Sequence, residues 1–191
     1  MRNRRRRIDF LTAAGIAAPA GLNAYIPLLT VGLLARFTDL VTLQAPYDII
    51  SSDIGLIVIT VLLVIELFAD AIPGLDSVND VVQTLVRPAT GAFLMLSSDQ
   101  GVLEMPALLE ILIGGGLAGI VHATKALARP VVTVSTAGIG NAGVSTLENF
   151  AALGLTLVAI LLPVALLIVL VVAFLVGIRW LFRRVSQPRR L

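Results

Sequence analysis

The 191-residue chain has no cysteine and one histidine, His122. The first absence excludes disulfides, thiolate nucleophiles and cysteine-based metal centres. The second excludes histidine-rich metal centres and leaves zinc hydrolase chemistry without its ligands. Charge is scarce as well: 14% of residues are Asp, Glu, Lys or Arg and 58% are hydrophobic, where soluble domains hold about 25% charged and about 45–50% apolar residues. Two signatures are missing: GxxxxGK followed by Ser or Thr, as a phosphate loop needs, and DDxxD, as a prenyl-diphosphate site needs. Thr124 is close to His122 in sequence, but nothing around it forms a nucleophile–base pair, so no enzyme activity and no cofactor are expected.

Long hydrocarbon runs take the place of these features. A bilayer core of about 30 Å is spanned by about 20 apolar residues, and the stretches 10 to 36, 54 to 72, 106 to 128 and 149 to 178 qualify or nearly so. The last is uncharged from Asn149 through Ile178, longer than a perpendicular helix needs, which predicts tilting, a bend at Pro163, or an overhang past the headgroups. Two weaker segments, 81 to 97 and 131 to 147, are interrupted by Gly or Pro and are too polar for a lipid-facing helix.

Charge placement favours counting both weak segments as crossings. Arg2, Arg4, Arg5, Arg6 and Arg7 precede the first run, and Arg179, Arg183, Arg184, Arg189 and Arg190 follow the last. The positive-inside rule puts both tails in the cytoplasm, which requires an even number of crossings. With six, Lys125 and Arg129 end a helix on the cytoplasmic side, while the acidic segments 37 to 53 and 98 to 105 lie outside. Tight turns are then required after Arg129 and Leu147. The basic, then apolar, N-terminus with Ala18-Pro19-Ala20 also has the outline of a secretory or twin-arginine signal, but its apolar run continues past that site to Ala35.

The expected fold is an all-α integral membrane protein, a polytopic helical bundle of six membrane segments: four strong spans plus two weak ones, broken or re-entrant. Residues 1–191 form one transmembrane domain. Its halves, 8–97 and 106–182, have opposite orientation, the logic of an inverted 3+3 repeat. The expected location is the cytoplasmic (inner) membrane, multi-pass, with both termini cytoplasmic.

Ionisable residues inside a membrane are expensive and persist where they face protein, water or a partner. Glu66 and Asp70, four apart, share a helical face, as do Ala118, His122, Lys125 and Arg129. An acidic stripe facing a basic one forms either an ion-pair clamp or a site that uses the same charges. After Pro73 and Gly74 stop the preceding helix, Asp76, Asn79, Asp80, Gln83 and Arg87 recur at helical spacing opposite Val78, Val81, Val82 and Leu85. Asp76 suits a helix cap. Glu66, Asp70, Asp76 and Asp80 also offer oxygen ligands for a hard cation, without a recognised metal spacing. Arg87 suits an anion such as a lipid phosphate, or a pairing with Asp80. Gly115 and Gly119 have small-xxx-small spacing, which permits close packing within the chain or between copies.

Helix interruptions at membrane depth need protein or a water-filled cavity to receive the freed backbone groups. "AGIAAPAG" at 14 to 21 is echoed by "AGIGNAG" at 137 to 143, which contains Asn141. These read as two broken segments, with Asn23 opening the helix that runs to Ala35 and Ser145 capping the helix that carries Glu148, so that helix ends point at a shared site.

Four motifs in order, "GLNAYIPLLTVGLLAR", "ADAIPGLDSVNDVVQTLVRPATGA", "HATKALAR" and "GIGNAGVSTLEN", resemble the small bacterial integral-membrane proteins grouped as domain of unknown function 4126. The resemblance covers about residues 13 to 150. It implies a bacterial membrane location and no activity. The matching residues are Asn23, Asp70, Pro73, Asp76, Arg87, His122, Lys125 and Glu148; Ala24 stands where the pattern suggests proline, and Asn149 where it suggests a second acid.

The functional expectation is a small carrier or channel for a solute or ion. Its site draws on Asn23, Glu66, Asp70, Asp76, Asp80, Arg87, His122, Lys125, Arg129, Asn141 and Glu148, with His122 placed to couple protons near neutral pH. The alternatives are a lipid-phosphate carrier using Arg87 and Arg129 on an anionic lipid, and a non-transporting scaffold or partner subunit. The bilayer is the expected partner, with a homo-oligomer through Gly115 and Gly119. No folded basic domain exists to bind nucleic acid.

Overall fold

A computed structural model describes residues 8–72, 75–97, 105–162, 168, 171–176 and 179. Both arginine-rich tails up to Arg7 and beyond Arg179, Pro73 and Gly74, residues 98–104, Pro163 and the side chain of Asp76 lie outside the described residues. The regular elements are helices: α1 (Phe10–Ala17), a 3-10 turn (Pro19–Gly21), α2 (Tyr25–Phe37), a second 3-10 turn (Tyr47–Ser51), α3 (Asp53–Ala71), α4 (Leu75–Leu96), α5 (Ala107–Thr136) and α6 (Gly140–Leu161). Helical residues recur at 168, 171–176 and 179. Among the described residues, two helices, α5 and α6, are long and apolar enough to cross a membrane.

Helices α2 to α6 alternate in direction. Gly32 of α2 packs against Leu56 and Arg36 pairs with Asp53 at 2.6 Å, so α2 and α3 are antiparallel. Asp70 meets Asn79 and Glu66 meets Arg87, which reverses α4 against α3. Glycines fix the α4–α5 contact. A Cβ added to Gly91 would collide with the Gly114 carbonyl oxygen, and one added to Gly114 with that of Gly91, so the two backbones approach as closely as small-residue faces allow. Gly115 and Gly119 face Pro88 of α4 within this same contact.

The segment 131 to 147 is not a separate crossing. The turns expected after Arg129 and Leu147 do not form: α5 continues through Pro130 to Thr136, α6 begins at Gly140, and residues 137–139 join them. Pro130 removes the amide that would bond the Ala126 carbonyl. The polar side chains beyond it bond to their own helix, Thr133 to the Arg129 carbonyl at 3.0 Å and Thr136 to that of Val132 at 2.7 Å. Such back-bonding removes the polarity that argued against a continuous helix. Reversal occurs at Ala137, left-handed at φ 52°, and Gly138 at φ 84°, whose amide returns to the Thr133 carbonyl at 3.0 Å and closes the helix end. Ser145 therefore lies inside α6 and caps nothing.

The first interruption forms as expected. The chain leaves α1 through Pro19–Gly21, and Asn23 Oδ1 accepts from the amides of Tyr25 and Ile26 at 3.0 and 2.9 Å, satisfying donors at the start of α2. Close packing inserts this junction, because a Cβ on Gly21 would strike the Ala118 carbonyl oxygen of α5.

Candidate functional site

Helices α3, α4 and α5 turn ionisable residues inward. On α5 the buried residues are Glu110, Gly114, Ala118, His122, Lys125 and Arg129, a single stripe of four- and three-residue steps. Gln83 and Arg87 of α4 and Glu66 and Asp70 of α3 are buried opposite it. The outer faces are hydrocarbon: Leu85 and Leu127 are each 79% exposed and Val134 is 86% exposed, whereas Arg87 is fully buried.

The upper layer centres on Arg87. Its Nη2 donates to Glu66 Oε1 at 3.0 Å, and its Nη1 lies 2.8 Å from His122 Nδ1. A guanidinium only donates, so Nδ1 must accept, and the ring is the neutral tautomer with its proton on Nε2. That nitrogen is 3.2 Å from Thr84 Oγ1, which donates in turn to the Asp80 carbonyl at 2.9 Å. Both ring nitrogens are engaged, so His122 acts here as a connector between α4 and α5.

The lower layer joins α3, α4, α5 and α6. Lys125 Nζ is 2.9 Å from Glu148 Oε2 and 3.7 Å from Asp70 Oδ2, and it donates to the Leu22 carbonyl at 3.2 Å. Its approach to Glu148 is a charge contact without hydrogen-bond alignment. Arg129 donates to Ser145 Oγ at 2.7 Å and lies within 4 Å of Asp70, Asp80 and Glu148. Asn79 Nδ2 supplies the second Asp70 oxygen at 2.9 Å. One end of the network is closed by Asn141 against Thr133, at 2.9 Å, and the other by Asn23, whose Nδ2 donates to Asn149 Oδ1 at 3.0 Å.

Of the eleven residues singled out in the sequence, ten have described side chains. Nine of those ten lie in this connected set or bond to a neighbour of it, and Asn141 bonds to Thr133 beside it. Asp76 lies in the first turn of α4 with its side chain outside the described residues. Glu66, Asp70, Asp80 and Glu148 each lie within 4 Å of a cation, and among the described residues no three His, Asp or Glu side chains converge as metal ligands do. Sequence reasoning missed the roles of Thr84 and Asn149. Gln83 and Asn79 were legible as parts of the α4 stripe, since both share its face with Asp80 and Arg87.

In this set four carboxylates, Glu66, Asp70, Asp80 and Glu148, face three cations, Arg87, Lys125 and Arg129. Buried charges of this kind are costly unless paired, and Glu66 Oε2, Gln83 Oε1 and Arg87 Nε are buried without hydrogen-bond partners.

No match to the chain was found among curated proteins or among solved structures. A family model matches residues 10–184, which include every helix and every residue of the network just described. The chain belongs to the family described as domain of unknown function (DUF4126).

Proposed function

We propose that this protein is a small multi-pass membrane carrier or channel whose site is the charge network between α3, α4, α5 and α6. One observation carries the reading: the polar residues are inside and the hydrocarbon is outside. Glu66, Asp70, Arg87, His122 and Lys125 are at most 5% exposed, while Val78, Leu85, Leu127 and Phe150 are each more than 60% exposed. Water-soluble proteins arrange these classes the other way. Lipid explains the exterior, and the charged interior fits a polar pathway or binding site. The membrane segments would number six: the broken α1–α2 pair, the four helices α3 to α6, and the apolar run after Leu162. Asn23 and the start of α2, set against α5 and α6, supply the helix end that discontinuous helices of carriers aim at their cargo.

The lipid-phosphate alternative fits less well. Arg87 and Arg129 each lie within 4 Å of at least two carboxylates, and those carboxylates would repel an incoming phosphate.

The test is flux in vesicles of phosphatidylcholine and phosphatidylglycerol, using protons, Na⁺, K⁺ and methylammonium as probes. Protein-dependent flux of at least one probe is expected, reduced tenfold or more by Glu66→Gln. Flux no greater than that of empty vesicles for the whole panel, from protein with native helical circular dichroism, would reject transport of small cations and leave the scaffold reading in its place.

A further inference from the structure

Glu66 and Gln83 are each 1% exposed. Glu66 Oε1 is used by Arg87, while Glu66 Oε2 and Gln83 Oε1 have no donor. Both side chains line one cavity of about 340 Å³ between α2, α3 and α4. Apart from Tyr25 and Asn79, its remaining wall is hydrocarbon from residues such as Leu62, Ile65, Val78 and Val82, all exposed on the outer surface.

Two buried acceptors facing one opening ask for something that is all donor, or positive. The ionisable groups around them are engaged elsewhere. Arg87 is committed to Oε1 and to His122 through its two Nη atoms, and its remaining Nε–H bonds to neither oxygen. His122 has its one N–H directed at Thr84. Lys125 is held by Glu148 and the Leu22 carbonyl, and Asp70 adds negative charge on the same helix face as Glu66.

We propose that Glu66 and Gln83 form a binding site for one small monovalent positive charge, a proton or an alkali cation, held at the inner wall of the cavity between α2, α3 and α4. A proton on Glu66 Oε2 would donate to Gln83 Oε1 and satisfy both atoms with one bond. An alkali cation would take the same two oxygens, with the Tyr25 hydroxyl at the cavity wall as a third, in the manner of hard cations and oxygen ligands. A divalent ion does not fit, because a single carboxylate faces the cavity. The inference names the cargo class, or the coupling ion, of the proposed transport site, but it concerns occupancy and is tested without transport.

Purified protein in detergent is unfolded thermally in NaCl, KCl and choline chloride of equal ionic strength, and its carboxyl stretching band is read by infrared difference spectroscopy. An alkali site gives a rise of several degrees in Na⁺ or K⁺ over choline, lost in Gln83→Leu and in Glu66→Gln. A proton site gives no salt effect and instead a protonated-carboxyl band that vanishes in Glu66→Gln and shifts in Gln83→Leu. Equal melting in all three salts together with no such band, in protein of native helicity, leaves only bridging water and overturns the proposal. Binding without flux would sink the transport reading alone.

Discussion

Replacing Arg87 by methionine destabilises the protein by about 3–5 kcal/mol, the range for removing one partner of a buried ion pair. Methionine keeps much of the side chain's bulk, so packing loss is small. What remains is Glu66, 1% exposed and stripped of the donor to its Oε1, with Asp80 and the His122 Nδ1 acceptor losing the same guanidinium. The combined change Glu66→Gln and Arg87→Met restores most of the loss, because the carboxylate that needed compensation has gone. Denaturant unfolding in mixed micelles reads both variants. A single variant within 1 kcal/mol of wild type would mean that the Glu66–Arg87 pair is hydrated, against the burial that the whole network implies.

Gly114→Val has the second large effect, about 1–3 kcal/mol and more if the helices separate. A Cβ at this position meets the Gly91 carbonyl oxygen, and it comes within 2.6 Å of the Met95 Cβ. Backbone cannot rotate away as a flexible side chain can, so α4 and α5 must move apart. Two turns along α5 from Gly114 is His122, whose 2.8 Å approach to Arg87 depends on that spacing. Gly116→Val is the matched control, since a Cβ there meets nothing within 4 Å, and it is expected to unfold at the wild-type denaturant concentration. Equal destabilisation by the two variants would show that helix propensity, and not the α4–α5 approach, sets the cost.

The site was more legible in the sequence than the topology around it. Charges inside hydrocarbon are rare enough that spacing alone grouped Glu66 with Asp70, and His122 with Lys125 and Arg129, and the structure joins the two groups through Asp70. Asn23 could be read as a helix opener because an Asn after Gly and Pro breaks suits a cap. The α5–α6 hairpin was hidden by two local effects. Thr133 and Thr136 satisfy their hydroxyls on their own helix, which disguises a helix as a polar segment. Ala137 adopts a left-handed conformation that sequence assigns to Gly or Asn, so the turn lies eight residues beyond the expected one at Arg129. His122 shows a different limit: its residue type suggested titration, but the direction of its hydrogen bonds depends on Arg87, 35 positions away.

Embedding of the bundle with its charges inward can be read directly at its surface. The chain has no cysteine, so a nitroxide attached to a single cysteine at Leu85 or Leu127, each 79% exposed, reports one site. The label is compared in lipid vesicles with one at Asp53, whose side chain is 79% exposed at the start of α3. Collisions with oxygen are expected to dominate at Leu85 and Leu127 and collisions with a water-soluble nickel chelate at Asp53. Nickel-dominated collisions at Leu85 and Leu127 would place that surface in water and contradict the membrane-embedded charge site.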